Sequence, residues 1–560
     1  MKKNISQIID SIKCTKIKIS DEQDFDVEIS NLAFDTKNVC EGTLFFALPG
    51  THISGNYFID EAIKKGAVAV IFQGELDSSL IQKIKDALKN TKNNVQFYQV
   101  EDSRFAMAPV SAKFYDFPSK KIAVVGVTGT EGKSSTVSFV WQLLRLSGFK
   151  AGFISTVQYS VGDEAQSNPE HTTTPEAPII QKYLYEMVQN GCEYAVLETS
   201  SHGLSAKLNR TGSIDFDAGI FMNVTLEHLE FHGTFEQYRD DKANLFRKLD
   251  QNDHKKIILG KEVTVPSFGV VNLEDESAPY FIKATKKSVV GFTTEGKAGK
   301  QAVSGFDSAK PLPKIPKDIP YILARNLASA SFGLSFSITE PNLIDEYSKP
   351  VEKPLISIKS RLPGAFNAYN IMAALITVSR LTSIPLEKVA EKVSELVPVK
   401  GRMTVVDEGQ NFEVIVDYAH TPSSFETIFP PIKRRTSHNI IAVFGSGGER
   451  DTKKRPLQGA IAAKFCDYVI LTDEDPRKED SLSILKQIAE GAKSEGKVED
   501  KDLFLISDRP SAIRKAFSLA QKDDIVLLLG KSHENSIIYS DGPHPYDEIT
   551  EAKKALSELK

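Results

Sequence analysis

The chain is poor in cysteine: Cys14, Cys40, Cys192 and Cys466 are the only four in 560 residues, and they lie far apart with no paired spacing. That excludes a disulfide scaffold and a zinc cluster and fits a reducing compartment. Charge of one sign is also lacking. With 69 basic against 74 acidic residues and a formal net charge of -5, spread along the whole length, no basic field exists to neutralise a nucleic-acid backbone. The opening residues MKKNISQIIDSIKCTKIKIS interrupt their apolar positions with Asp10, Lys13, Lys16 and Lys18, so the continuous run of a signal peptide is missing. No window approaches a membrane span. Internal repeats and low-complexity segments are absent too, and a soluble cytoplasmic protein that inserts in no membrane is expected.

What is present is the make-up of a globular enzyme. Apolar residues account for 41% and charged residues for 26%, far from the profile of a disordered chain. The length is too great for one core, and three units are expected: 1–118, 119–399 and 400–560. The first holds short apolar runs, TLFFAL and AVAVIF, separated by Gly and Pro, with a helix-like stretch before Pro118. The second opens on KIAVVGVTGTEGKSSTVSFVWQLLRLSG, a β-branched strand, a glycine loop and a helical apolar pattern ending at Gly148. Its further strand candidates are AVLETS, AGIFMNV, KKIILG and GVVNL. The stretch Lys310 to Lys317 reads as a surface loop, and LPGAFNAYNIMAALITVSRL starts a helix leading toward residue 400.

From Gly401 the strands EVIVDYAH, NIIAVFGSGG, YVILTDED and DIVLLLGKSHE each end in polar residues, which in an open parallel sheet gather where ligands bind. The fold class is therefore α/β in three domains, with a central P-loop ATPase-like parallel sheet and a C-terminal Rossmann-like sheet.

The run Gly126 to Ser135 has the parts of a phosphate-binding loop. Gly129 and Gly132 let backbone amides approach phosphates, Thr130 and Ser135 add polar contacts, Lys133 reaches the terminal phosphates, and Ser134 can hold magnesium. Gly126 sits one residue too early for the strict pattern. Glu198, at the end of AVLETS, is a candidate acidic magnesium partner.

Seven motifs occur in one order: GVTGTEGKSST, HTTTPEA, LETSSHGL, NVTLEHLEFHGTFEQYRDDKANLF, VDYAHTP, FGSGGERDTKKRP and GKSHE. The succession resembles the Mur ligases, most closely their tripeptide-forming branch in peptidoglycan assembly. The run FDTKNVCEGTLFFALPGTHISGNYFIDEAIKKGAVAVI extends the likeness into the first domain, so it covers nearly the whole chain.

The resemblance implies an ATP- and magnesium-dependent enzyme with a uridine-nucleotide N-terminal domain and an amino-acid-binding C-terminal one. It would turn the D-glutamate side-chain carboxylate of UDP-N-acetylmuramoyl-L-alanyl-D-glutamate into an acyl phosphate that a diamino acid attacks. It also implies that His228 ligates a second magnesium and that Lys242 carries a carbamate, an oxygen ligand made from a cation. Glu227 and Phe231 replace the usual Asp and Tyr of that motif. Thr36, in place of a typical Ser, with Thr173, Thr174, Ser200 and Arg210, would hold the nucleotide-linked dipeptide; Lys37 replaces a typical Arg, and Arg210 follows an apparent insertion. Asn272, Asp275, Asn367, Arg402 and Asp417 match positions around ATP, and Ala365 stands where an arginine is usual.

Arg450, Glu474, Asp475, Pro476, Arg477, Gly530 and Glu534 match the amino-acid pocket. Arg477 favours meso-diaminopimelate, whose distal carboxylate suits a bidentate guanidinium. The pair Glu474 and Asp475, in place of Asp and Asn, adds a negative charge that suits lysine or ornithine; both choices stay open. A monomer is expected. The rival readings are another ligase of the superfamily, of the folylpolyglutamate synthetase type, and a non-catalytic nucleotide-binding homologue. A dinucleotide oxidoreductase reading of GSGGER fails on spacing and leaves the phosphate loop without a purpose.

Overall fold

A computed structural model describes residues 1–559 except 20–25, 51–52, 92–93, 171, 226, 228, 295–318, 331–332, 340–354 and 363. Three large sheets organise it. The first has five strands in the order Thr15–Ile17, Gln96–Val100, Ala67–Gln73, Thr43–Ala47, Asn31–Ala33, parallel except at the first pair. Helices Ile59–Lys64, Ser78–Lys89 and Ser103–Phe114 cover it. The run AVAVIF is buried at every position, as a strand sandwiched on both faces must be.

Among the described residues the central sheet has eleven strands. Its parallel part runs Ala151–Ile154, Tyr194–Glu198, Ala123–Thr128, Ala218–Phe221, Phe268–Asn272, Ser288–Thr294, Tyr321–Ala330, and antiparallel strands extend both edges. Ala123–Thr128, the first of these in the chain, lies between two strands that come later, so the strand order reverses there and opens a crevice at its carboxyl end. Helix Lys133–Leu146 leaves that crevice with Val137, Phe139, Val140, Leu143 and Leu144 fully buried. Each such side chain contributes about 1.5–3 kcal/mol, which anchors the preceding loop. The run KKIILG forms the strand Lys255–Ile258, which pairs with Lys261–Thr264 in a separate hairpin and does not join this sheet. The Lys310 to Lys317 stretch lies outside the described residues.

The third sheet runs Thr404–Val405, Glu413–Asp417, Ile525–Leu529, Ile440–Phe444, Tyr468–Leu471, Leu503–Leu505, parallel after the first pair. Four strands end at Asp417, Phe444, Leu471 and Leu529, and the polar loops that follow them share one rim. All four cysteines are free, two of them buried. Among the described residues no helix is long and apolar enough to cross a membrane.

Candidate functional site

One cavity lies between the central and third sheets. Thr130 to Ser135 form one wall, with Met222, Asn223, Thr225, Asn272, Tyr369 and Asn370. Arg402, Asp417 to His420, Ser423, Ser424 and Thr427 form the other. The phosphate loop starts later than the sequence pattern places it. Gly126 is inside the strand, where a Cβ would lie 2.4 Å from Leu245 Cδ1 and 2.9 Å from Phe216 Cε1, so its glycine serves packing.

Gly132 is the position the loop geometry requires. Its φ of +82° is left-handed, and a Cβ there would stand 2.7 Å from Asn370 Oδ1. Asn223 holds the turn: its Oδ1 accepts from Thr130 N at 3.1 Å and from Glu131 N at 2.8 Å. Lys133 folds back to donate from Nζ to Thr130 O at 2.8 Å. Burial, then the neighbouring Glu227 carboxylate, pushes Glu131 up to about 7.

Ser134 Oγ donates to Glu198 Oε2 at 3.0 Å, and the same oxygen accepts from Thr156 N at 2.7 Å. A hydroxyl and a carboxylate thus meet at the helix start. Lys242 enters from helix Phe235–Lys248, is 2% exposed, and donates from Nζ to Gly129 O at 2.7 Å beneath the loop. Burial, then the charge of Lys133, holds its amine well below the usual lysine range, outweighing Glu227, Glu198 and Glu131. The Lys242 nitrogen stands 4.6 Å over the Tyr238 ring. His228 lies outside the described residues.

On the opposite wall, Arg402 reaches Ser134 Oγ at 3.5 Å and lies 4.8 Å over the Tyr418 ring. Asp417 accepts from Met403 N and Ala419 N, each at 2.8 Å, so its carboxylate braces the entry of the third unit; burial raises its pKa. Ser423 Oγ to Thr225 Oγ1, at 3.4 Å, is a second contact across the cavity. Asn272 is turned to Met222 O at 2.8 Å, and Asp275 accepts from Val224 N at 2.8 Å, so both stiffen the strand ends. Asn367 is not on the cavity wall; its Oδ1 accepts from Asn370 Nδ2 at 3.0 Å, and Asn370 is the one that faces in. Burial lowers His420 below the usual histidine range, with its Nδ1 2.8 Å from Tyr418 O.

Next to this cavity the loops carrying Glu474 to Arg477 and Gly530 to Glu534 come together. Asp475 Oδ1 accepts from Lys531 Nζ at 2.8 Å and from Ile538 N at 2.9 Å. Glu534 accepts from Lys531 at 2.5 Å and from Tyr418 OH at 3.3 Å. Among the described residues, Glu474 Oε2 and Arg477 Nε are buried without a hydrogen-bond partner. Gly530 has a φ of +96° and lies against the Glu474 carboxylate, Pro476 is buried against Gly448, and Arg450 is exposed at the rim.

Thr174 Oγ1 donates to Glu198 O at 3.0 Å and accepts from Ser200 N at 2.8 Å. Thr173 is half-exposed beside it. Arg210, despite its late position in the chain, returns to donate from Nη1 to Thr174 O at 2.8 Å. Thr36 stands apart in the first unit, on the turn Thr36–Asn38, with its carbonyl accepting from Lys65 Nζ at 3.0 Å. Sequence reasoning missed Asn223, Asn370 and Tyr418. Asn223 had a signal, a polar residue just past a buried strand; the other two had none.

Three family descriptions match: "Mur ligase family, catalytic domain" over residues 28–115, "Mur ligase middle domain" over 127–378, and "Mur ligase, glutamate ligase domain" over 401–532. The UDP-N-acetylmuramyl-tripeptide synthetase of Treponema denticola is 50% identical over 93% of this chain and 90% of its own. The UDP-N-acetylmuramoyl-L-alanyl-D-glutamate--2,6-diaminopimelate ligase of Caldanaerobacter subterraneus is 34% identical over 99% of each. A solved structure of a ligase of that same name superimposes with a TM-score of 0.54 at 25% identity, covering 95% of both chains. Motif order, three sheets and full-length likeness agree: the chain belongs to the Mur ligase family of ATP-dependent ligases.

Proposed function

We propose that the chain uses ATP to activate the D-glutamyl side-chain carboxylate of UDP-N-acetylmuramoyl-L-alanyl-D-glutamate and joins it to the amine of a diamino acid. The full-length likeness to tripeptide synthetases carries this reading, and the cavity supplies its parts. The boundaries near 118 and 399 would divide the nucleotide-sugar, ATP and amino-acid units.

ATP would lie along the cavity with its phosphates on the amides of Gly129 to Ser135 and on Lys133. In this reading Asn272, Asn367, Arg402 and Asp417 shape the nucleotide's surroundings, Arg402 reaching the phosphate end from across the cleft. Phosphoryl transfer depends mainly on positioning and charge neutralisation, so a lysine, an arginine and backbone amides suffice for the protein's share. Magnesium, when bound, would neutralise the phosphate oxygens. Ser134 Oγ and Glu198, already 3.0 Å apart, are donors of the right type for it.

Lys242 fits carbamylation. Carbon dioxide adds to a neutral amine, and this amine is buried with its charged form disfavoured. The carbamate would present an oxygen beneath the loop, with His228 as its companion ligand. Thr36, Thr173, Thr174, Ser200 and Arg210 would hold the nucleotide-linked dipeptide. Arg450, Glu474, Asp475, Pro476, Arg477, Gly530 and Glu534 would receive the amino acid. The test is phosphate release with product mass from purified protein given ATP, magnesium and the dipeptide substrate, in parallel with meso-diaminopimelate, lysine and ornithine. A tripeptide mass with one of them is expected; no release with any would overturn the reading.

A further inference from the structure

Beneath the amino-acid loops of the third unit lies an ion pair that the reaction above does not use. Arg509 opens helix Arg509–Leu519, Glu548 opens helix Glu548–Ser557, and both side chains are 0% exposed. Arg509 donates from Nε to Glu548 Oε2 at 2.8 Å and from Nη2 to Glu548 Oε1 at 2.6 Å, and Tyr546 OH donates to Glu548 Oε2 at 2.6 Å. The remaining guanidinium contacts reach outward. Nη1 donates to Asp473 O at 3.2 Å and Nη2 to Leu529 O at 2.7 Å, the carbonyls immediately before Glu474 and Gly530. The strands leading to them, Tyr468–Leu471 and Ile525–Leu529, are not neighbours, since Ile440–Phe444 lies between. Arg509 therefore spans a strand to hold the roots of two pocket loops. Where these loops meet, a Cβ at Gly530 would stand 3.1 Å from Glu474 Oε2.

A buried ion pair is weak evidence for a stabilising role, because well-packed apolar residues often serve as well in its place. Glu474 gives this one a purpose. Lys531 holds Asp475 at 2.8 Å and Glu534 at 2.5 Å, whereas Glu474 Oε2, among the described residues, is buried without a hydrogen-bond partner. The charge of Glu474 acts on Arg509 on one side and on Tyr418 and His420 of the cavity wall on the other. An uncancelled guanidinium below Glu474 would neutralise it. Glu548 cancels that cation, so the Glu474 carboxylate stays available to a cation arriving from the cavity. A diamino acid brings one, the ammonium distal to the amine that reacts.

We infer that Arg509 and Glu548 are positioning residues for the diamino acid: Arg509 fixes the two loops that meet at Glu474 and Gly530, and Glu548 cancels its charge so that Glu474 receives the distal ammonium. The inference rests on the proposed ligase reading.

The experiment is initial-rate kinetics on the full-length enzyme, varying the diamino acid that gives a tripeptide at saturating ATP and UDP-dipeptide. Glu548→Gln leaves the cation uncancelled and should raise the KM for the diamino acid about tenfold, the scale of one electrostatic coupling, with the KM for ATP little changed. Glu474→Gln should raise the same KM, and adding Glu548→Gln to it should cost little more, because the charge through which Glu548 acts is gone. A merely structural pair requires otherwise. Glu548→Gln would then lower kcat and the thermal midpoint at an unchanged KM for the diamino acid, or its effect on that KM would multiply with that of Glu474→Gln; either result overturns the inference. Arg509→Lys keeps the buried charge without the fork that spans both carbonyls, and it tests the same claim should Glu548→Gln not fold. It should raise the KM for the diamino acid several-fold, and an unchanged value overturns the inference. An inactive wild type would instead count against the ligase reading; an active wild type whose KM for the diamino acid ignores these substitutions counts against the pair alone.

Discussion

Lys242 and Glu131 are the two side chains whose surroundings most constrain what they can do. The Lys242 amine is held under the phosphate loop by Gly129 O and cannot carry its proton cheaply. Lys242→Ala should therefore reduce ligation by about 10²–10³, the scale of losing one preorganised electrostatic group. Short carboxylates such as formate or acetate should restore part of the rate. Full activity in Lys242→Ala without rescue would remove the carbamate from the mechanism.

Glu131 has a folded pKa of about 7 against 4.5 for the free group. The folded state then binds more protons between those values, so its contribution to stability falls as pH rises from about 4.5 to 7 and is flat above. Glu131→Gln should raise the thermal midpoint at pH 8 and leave it unchanged at pH 4. ATP affinity of the wild type should also weaken as pH rises through 7, as an anion appears beside the phosphates, and the substitution should flatten that profile in calorimetric titrations. A pH-independent affinity in the wild type would contradict the assignment. Glu131 could not be singled out from sequence as anything but a loop residue, since its shift comes from burial and from Glu227, nearly a hundred positions away.

At the scale of elements, the phosphate loop was legible because a β-branched strand, two glycines with lysine and serine, and an apolar helix follow in order. Its starting point was not. Gly126 fits the glycine pattern loosely, yet its lack of a side chain answers Leu245 and Phe216, contacts that only the packed sheet defines. Gly126→Val should cost about 1–3 kcal/mol by overpacking, read as a lower midpoint in urea, while the KM for ATP stays near the wild-type value. Asn223→Ala should do the reverse in emphasis. It leaves the Glu131 amide without its acceptor, while Thr130 N keeps the Asn223 carbonyl at 2.9 Å, costing about 1–3 kcal/mol, and should raise the KM for ATP. Equal effects of the two substitutions on that KM would mean the loop is not positioned as described. The run KKIILG does form a strand, Lys255–Ile258, but its partner, the hairpin strand Lys261–Thr264, was not legible, because a short apolar run is silent about which sheet it joins.

At the scale of the molecule, three units were legible from length and from the spread of different motifs along the chain, and the α/β class followed from alternating strands and helices. The seams between units were not, because residues such as Arg104, Glu176 and Arg210, or Arg402 and Ser134, are far apart in sequence and their types are common on surfaces. The cavity is closed by thin contacts, Arg402 to Ser134 at 3.5 Å and Ser423 to Thr225 at 3.4 Å. Long polar contacts of this kind open easily, so the third unit should swing away without ligand and return with it, excluding water from the acyl phosphate. X-ray scattering should show a smaller radius of gyration with a non-hydrolysable ATP analogue plus the dipeptide substrate than without; an unchanged radius would contradict closure on binding.

The central claim is chemical, that ATP activates a substrate carboxylate. It is tested most directly by labelling the D-glutamyl side-chain carboxylate of the dipeptide substrate with ¹⁸O and measuring the phosphate released during ligation by mass spectrometry. Attack of the carboxylate on the terminal phosphate of ATP, followed by displacement by the amine, predicts that labelled oxygen appears in the phosphate, one atom per turnover. Unlabelled phosphate accompanying tripeptide formation would contradict the account.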